Sequence, residues 1–276
     1  MFFTKMHGAG NDFIIIDNRN GEVKDAGTLA AKLCARRLNI GADGLVLVED
    51  SEIADTRMRI INADGSEAEM CGNGIRCFAR FVYDEKIVGK EEFTVETLAG
   101  IMIPKMILAD GKVSGVRVDM GIPSFAAEDI PMKAENTLRQ RITAAGKSIE
   151  VSSVLMGVPH TVVFAEDGNV SWEDFDTVAP AVEKHDIYPK NTNVNFAEVI
   201  DRDHVRVRTW ERGAGPTLAC GTGSCGVAVV MKALGLGDDC THILLAAGEL
   251  IIERDGERVF MTGPAEYVMR GETAEE

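Results

Sequence analysis

The sequence overlays on itself. Shifted by 149 positions, Arg57–Gly74 (RMRIINADGSEAEMCGNG) falls over Arg206–Gly223 (RVRTWERGAGPTLACGTG). Arg57 meets Arg206, Arg59 meets Arg208, Cys71 meets Cys220, Gly72 meets Gly221 and Gly74 meets Gly223. The same shift sets Asn11 over His160, each before an apolar run (Phe13–Ile16 and Val162–Phe164), and a nearby shift sets Leu45–Val48 over Phe196–Val199. Ordered matches close to one offset describe two related halves. Whatever one half folds into, the other must fold into as well.

Each half reads in the same order. An apolar stretch comes first (Phe13–Asp17; Thr161–Phe164), then polar and helical material, then a further strand candidate (Leu45–Glu49; Val194–Ile200). An Arg-bearing strand then runs into a glycine-rich turn, and a helix follows each CGxG. In Gly72–Glu85 the residues Ile75, Phe78, Ala79 and Val82 stand at i, i+3, i+4 and i+7, an apolar stripe. Gly221–Leu234 is apolar nearly all round, as for a helix enclosed by its own sheet. Gly100–Leu108, Val113–Met120 and Gly248–Glu253 read as strands. The boundary between halves is expected near Gly121–Ile122–Pro123, giving domains of 1–120 and 121–262, and Gly271–Glu276 reads as a frayed acidic end.

A chain of 276 residues with 45% apolar and 26% charged residues has the makeup of an ordinary globular protein. Its 29 Lys and Arg against 44 Asp and Glu leave a net charge of −15, which argues against nucleic acid and anionic membranes as partners. The N-terminus MFFTKMHGAGNDFIIID lacks the layout of a signal peptide, and no apolar run is long enough to cross a bilayer. A cytoplasmic location is expected, with the six cysteines reduced. Any special role for them is then metal binding or catalysis.

Chemistry is expected where the halves agree. A cysteine followed by small residues at a helix start sits where free N–H groups and the helix dipole favour negative charge. Such a thiol ionises readily, and the glycines let backbone N–H groups approach a carboxylate. Two such turns could set thiols on either side of one carbon, removing a proton from one face and returning one to the other. Cys34, Cys77, Cys225 and Cys240 read as small buried residues. A zinc site from the Cys71/Cys77 and Cys220/Cys225 pairs has looser spacing than the usual C-x2-C. Gly221-x-Gly223-x-x-Gly226 fits GxGxxG but does not directly follow a strand, so a dinucleotide site is set aside.

MHGAGNDF (Met6–Phe13), NADGSEAEMCGNGIRCFARF (Asn62–Phe81), MGVPH (Met156–His160) and ERGAGPTLACGTGSC (Glu211–Cys225) resemble the diaminopimelate epimerase family, over nearly the whole chain. The resemblance implies an α+β fold of two pseudo-symmetric domains, each a β-barrel-like sheet around a central helix, with the active site in the cleft between them. It implies that 263–276 returns to the N-terminal domain, and that the protein is a homodimer. It implies an isomerase without metal or other cofactor, interconverting LL- and meso-2,6-diaminopimelate for lysine and peptidoglycan synthesis. The family's acid/base cysteines fall on Cys71 and Cys220. The groups that tune them fall on His160, near the first, and Glu211, near the second. The backbone N–H groups of Gly72, Asn73, Gly221 and Thr222 correspond to those that hold the α-carboxylate. Asn11, Asn62, Asn193 and Arg212 correspond to substrate-binding positions, with Glu211 in the same group. On the residues alone His160 could be a satisfied core histidine, the three Asn could hold turns, and Glu211 and Arg212 could be a solvated pair.

Val158 stands where the family commonly has Asn at the distal end of the substrate, Gly44 where some members have Gln, and Pro216 where Glu is frequent. Met269 stands where some members use Tyr at the dimer contact. Val158 keeps one alternative open, a racemase of another amino acid such as histidine or hydroxyproline. A rival of another class, a catalytically silent amino-acid-binding protein with the same cleft, is opposed by the presence of both cysteines.

Overall fold

The computed structural model describes residues 1–165 and 170–273, so the last three residues of the expected frayed end, 274–276, lie outside the described residues. The chain divides into two compact units, 1–119 with 262–276, and 120–261.

The first unit contains β1 (Phe2–Gly8), β2 (Asn11–Asp17), α1 (Ala26–Leu33), β3 (Gly44–Glu49), β4 (Thr56–Asn62), β5 (Glu67–Ala68), α2 (Gly72–Asp84), β6 (Val95–Thr97), β7 (Gly100–Met102), and a hairpin of β8 (Lys105–Ala109) and β9 (Lys112–Gly121). The second contains β10 (Gln140–Ala144), β11 (Lys147–Met156), β12 (Val158–Phe164), α3 (Phe175–Glu183), β13 (Asn193–Val199), β14 (His204–Glu211), β15 (Gly215–Thr217), α4 (Gly221–Ala233), β16 (Cys240–Leu245), β17 (Gly248–Asp255) and β18 (Arg258–Gly263). Finally β19 (Glu266–Glu272) pairs antiparallel with β1, so the chain's end completes the first unit.

The two sheets repeat one wiring. In the first unit β1 and β2 are antiparallel, β2 and β3 parallel, β3 and β4 antiparallel, β4 and β6 parallel, and β6 and β7 antiparallel. In the second unit β11 to β14, β16 and β17 follow the same sequence of pairings. The short β5 and β15 each fold back on the strand before them. Both sheets are twisted open paths, β19-β1-β2-β3-β4-β6-β7 in the first unit. Among the described residues no strand pair closes it, so the barrel-like expectation becomes an open sheet.

Each sheet is covered on both faces, which is why its strands read as unbroken apolar runs. In the first unit Ile14, Ile16, Leu45, Leu47 and Ile61 pack under α1, while α2 lies against β1, β2, β3 and β4. In the second, Val163, Val194 and Phe196 pack with Phe175, Val178 and Val182 of α3, and α4 lies against β11, β12 and β13. Neither α2 nor α4 has a strong helix former in its first turn. Burial holds them in place: Ile75, Phe78, Ala79 and Val82 are fully enclosed, as are Val227 and Val230. Where the sequence reads one strand over Gly100–Leu108, the chain breaks at Ile103–Pro104 because Pro104 has no N–H for a ladder. The β10–β11 hairpin, missed by the sequence reading, lacks a clean two-residue period across Ser152–Ser153.

Candidate functional site

Cys71 is the residue before α2, in extended conformation (φ −141°, ψ 122°), and its side chain does not cap the helix. The first intrahelical bond runs from Ile75 N to Cys71 O at 2.9 Å, so the N–H groups of Gly72, Asn73 and Gly74 precede the ladder. A Cβ on Gly74 would stand 2.8 Å from Ile60 Cδ1, so the end of that side chain would have to shift. The Cys71 Sγ donates to Asn11 Oδ1 across 3.7 Å, and Asn73 Nδ2 donates to the same oxygen at 3.2 Å. Asn11 is held in this orientation because its Nδ2 donates to Asp43 Oδ2 at 2.7 Å. Asp43 in turn pairs with Arg36 at 2.8 Å, and Arg36 with Asp12 at 2.6 Å. Burial raises the Asp12 carboxyl, but hydrogen bonds from Arg36 and Lys5 outweigh it and leave it below the usual carboxylate range.

Beneath the same helix start lies Arg76, fully buried. Its guanidinium donates to Gly72 O at 3.0 Å, Asn73 Oδ1 at 2.9 Å and Pro264 O at 3.2 Å. It thereby fixes the Asn73 side chain and ties α2 to the returning C-terminal segment. Neither Arg76 nor Asp43 was singled out from sequence. Arg76 sits beside the apolar stripe, and its spacing of four from Gly72 was the available sign. Asn62 is exposed at the end of β4, its Nδ2 donating to Ser66 Oγ at 3.0 Å and its N–H to Ser66 O at 2.8 Å across the turn that follows.

Cys220 repeats the backbone geometry of Cys71 (φ −125°, ψ 110°) before α4, with Ser224 N bonded to Cys220 O at 2.9 Å. Its surroundings differ. Cys220 is 7% exposed, and its Sγ lies 3.6 Å from Thr222 Oγ1, a hydroxyl able to give or take the proton. Glu211 ends β14, where its Oε1 accepts from Thr217 Oγ1 at 2.8 Å. Asn193 is buried and accepts the Arg212 N–H at 2.8 Å, while the exposed Arg212 guanidinium donates to Lys190 O at 3.0 Å. Glu183, also buried and also missed by the sequence reading, accepts from Trp210 Nε1 at 2.8 Å and Gly213 N at 3.0 Å. That carboxylate sets the shape of the loop carrying Arg212.

His160 is fully buried on β12. Burial, with the nearby positive charge of Arg212, pushes its pKa down to about 3, so the ring is neutral at physiological pH. Among the described residues its Nε2 meets no hydrogen-bond partner. An unpaired buried polar group of this kind costs about 1–3 kcal/mol.

The remaining cysteines divide. Cys77 and Cys225 are enclosed within α2 and α4, and burial pushes the Cys77 thiol up to about 12. Cys34 is buried and raised to about 11. Cys240 corrects the expectation: it opens β16 and is exposed. Among the described residues no three His, Cys, Asp or Glu side chains are grouped as a metal ion requires, and no helix is long and apolar enough to cross a membrane.

The profile of the diaminopimelate epimerase family matches residues 3–126 and 152–268. The chain belongs to the diaminopimelate epimerase family. It is 50% identical to the diaminopimelate epimerase of Moorella thermoacetica over 99% of both chains. It is 47% identical to that of Caldanaerobacter subterraneus subsp. tengcongensis, again over 99% of both. Solved structures share the fold at much lower identity. A PhzF-family phenazine biosynthesis protein of Enterococcus faecalis superposes with a TM-score of 0.71 at 15% identity, over 99% of both chains. A probable proline racemase of Agrobacterium radiobacter does so with 0.68 at 16%, over 100% of this chain and 93% of that one.

Within this diaminopimelate epimerase family member, the departures from the common pattern take definite places. Val158 begins β12, 37% exposed. A Cβ on Gly44 would meet Ile61 O at 3.0 Å and the Phe13 ring at 3.4 Å, so this backbone is packed for glycine. Pro216 is exposed on β15, opposite Trp210. Met269 lies on β19, half exposed and opposite Lys5.

Proposed function

We propose that the protein epimerises LL-2,6-diaminopimelate to meso-2,6-diaminopimelate by proton transfer between Cys71 and Cys220. The reading is supported above all by one observation: two units of the same wiring each place a cysteine before a buried, glycine-led helix, in a chain of this family. One cysteine, as thiolate, takes the α-proton, so an S–H bond forms as Cα–H breaks. The other, as thiol, gives its proton to the opposite face and becomes the thiolate. The roles reverse for the other stereoisomer, so one thiol and one thiolate must coexist and the pair titrates as a unit. Backbone N–H groups of Gly72, Asn73, Gly221 and Thr222 hold the α-carboxylate as negative charge develops at the carbon. Asn11, Asn62, Asn193 and Arg212 bind the rest of the substrate, Arg212 with its fork on the distal carboxylate. His160 and Glu211 tune the thiols. The chemistry calls on the chain's own groups alone, in a homodimeric enzyme of the cytoplasm acting in lysine and peptidoglycan precursor synthesis.

Solvent deuterium is the test. In D2O, diaminopimelate should gain deuterium at the inverted carbon, read by mass and chirality. Product free of deuterium overturns exchange through these bases. Val158 favours one second reading, a racemase of another amino acid, because an apolar side chain replaces a polar contact at the distal end. A panel of amino acids in the same assay separates the two: diaminopimelate inert while another substrate exchanges would establish the second.

A further inference from the structure

Asn195 lies on β13, fully buried. Its Nδ2 is 3.2 Å from His160 Nδ1 and 3.4 Å from the Thr161 carbonyl oxygen, and its Oδ1 accepts from Thr209 Oγ1 at 2.9 Å. The amide has one sensible orientation. A carbonyl oxygen only accepts, so the atom facing Thr161 O is the NH2 group, whose two hydrogens serve Thr161 O and His160 Nδ1. Nδ1 is therefore an acceptor, and the ring proton sits on Nε2, the buried atom with no partner among the described residues.

The first turns of α4 press on this pair. A Cβ on Gly223 would stand 2.3 Å from Asn195 Oδ1, and one on Gly226 would stand 3.4 Å from His160 Cβ. The two CGxG glycines thus have different work. The shift that aligns Leu45 with Phe196 sets Gly44 against Asn195, so only the second half carries an amide at this position.

We propose that Asn195 is a positioning residue of the epimerisation site, holding His160 as the neutral Nε2–H tautomer so that the imidazole donates a hydrogen bond to an anion during turnover. This rests on the two-cysteine reading above. An imidazolium would carry a proton on Nδ1 and set it against the Asn195 N–H, donor against donor. The role left to His160 is donation, and an N–H donor favours the charged form of what it meets. That acceptor is either a thiolate or a substrate carboxylate, which share this chemistry.

The test uses the full chain with 15N-labelled histidine, the His160 ring assigned by loss of its signals in His160→Gln. The wild-type ring should show an unprotonated Nδ1 and a protonated Nε2 from about pH 5 to pH 8. In Asn195→Asp, nearly the same in shape, the carboxylate can only accept, so a proton should appear on Nδ1. The kcat/KM for diaminopimelate should then fall roughly 10²-fold. A fall in kcat places the acceptor at a thiolate, and a rise in KM places it at the substrate carboxylate; either supports the proposal. Should the Asp variant fail to fold, Asn195→Ala serves, with a mixture of tautomers expected. A wild-type ring protonated on Nδ1 overturns the proposal. So does a variant that moves the proton without changing kcat or KM, or one that loses activity with the ring unchanged. A chain that exchanges no α-proton of diaminopimelate removes the reading of function but leaves the tautomer measured.

Discussion

The two cysteine turns share a backbone and differ in the side chains that hydrogen-bond to the sulfur. Cys71 meets an amide oxygen held on it by a carboxylate, Asp43, at the end of an ion-pair chain of partly exposed groups. Cys220 meets a hydroxyl that can donate or accept, in a more enclosed place. Asn11 and His160 occupy matching positions in the repeat, one a permanently neutral amide and the other a ring that can titrate. Duplication conserved the helix start, which needs only small residues and a covering sheet. It left the side chains around each thiol to diverge. Wiring and helix-start N–H groups are shared by the two units, whereas the side chains that meet each sulfur are particular to each.

Replacing either thiol should have the largest effect. Cys71→Ala and Cys220→Ala should each lower α-deuterium exchange by roughly 10⁴-fold while circular dichroism and the urea midpoint stay near wild type. Normal turnover by either variant breaks the pairing of the two turns. Next come the glycines of the two helix starts. Gly223→Ala drives a methyl into an amide anchored on Thr209 and should cost about 3 kcal/mol in urea unfolding. Gly74→Ala presses hardest on the movable end of Ile60 and should cost about 1 kcal/mol. Equal losses would dissolve the distinction.

Acid should also separate the units. His160 has a folded pKa of about 3 against an ordinary value of 6.5, so the unfolded chain binds the extra proton. Its contribution is fully present above pH 6.5 and is lost as pH falls from there toward 3. Asp12, held below 3.8, contributes above that value and loses its contribution only at lower pH. Amide exchange near pH 5 should thus loosen the second unit first, and His160→Gln should flatten that slope. The first unit loosening first would contradict it. The smallest effect belongs to Cys240→Ser, expected within about 0.5 kcal/mol of wild type. A thiol reagent should label Cys240 in the native protein and reach Cys34, Cys77 and Cys225 only after unfolding.

What could be read without coordinates was whatever a local pattern carries. The stripe Ile75, Phe78, Ala79, Val82 announces α2, and the CGxG pair announces both helix starts. Asp43, Glu183, Asn195 and Arg76 carry no such mark. Each acts through contacts that long-range strand pairing brings about: Asp43 reaches Asn11 because β2 and β3 are parallel neighbours, and Asn195 reaches His160 by the same pairing of β12 and β13. Cys240 was misread because burial depends on which way a strand's first residue faces, and a single residue type does not specify that. Asn62 and Asn193 look alike in sequence, yet one holds an exposed turn and the other is buried beneath a loop N–H.

The return of β19 to β1 has a consequence for the order of events during synthesis. Residues 120–261 are contiguous, so the second unit can fold while the chain is still being made. The first unit is begun earlier and finished later, because β19 and the Pro264 carbonyl that Arg76 grips emerge after the second unit. Until then the helix behind Cys71 has a buried cation without its full set of acceptors, a half-built state exposed to chaperones and proteases. Cys71, the earlier in sequence of the two cysteines proposed for the reaction, should be the later of the two to become competent.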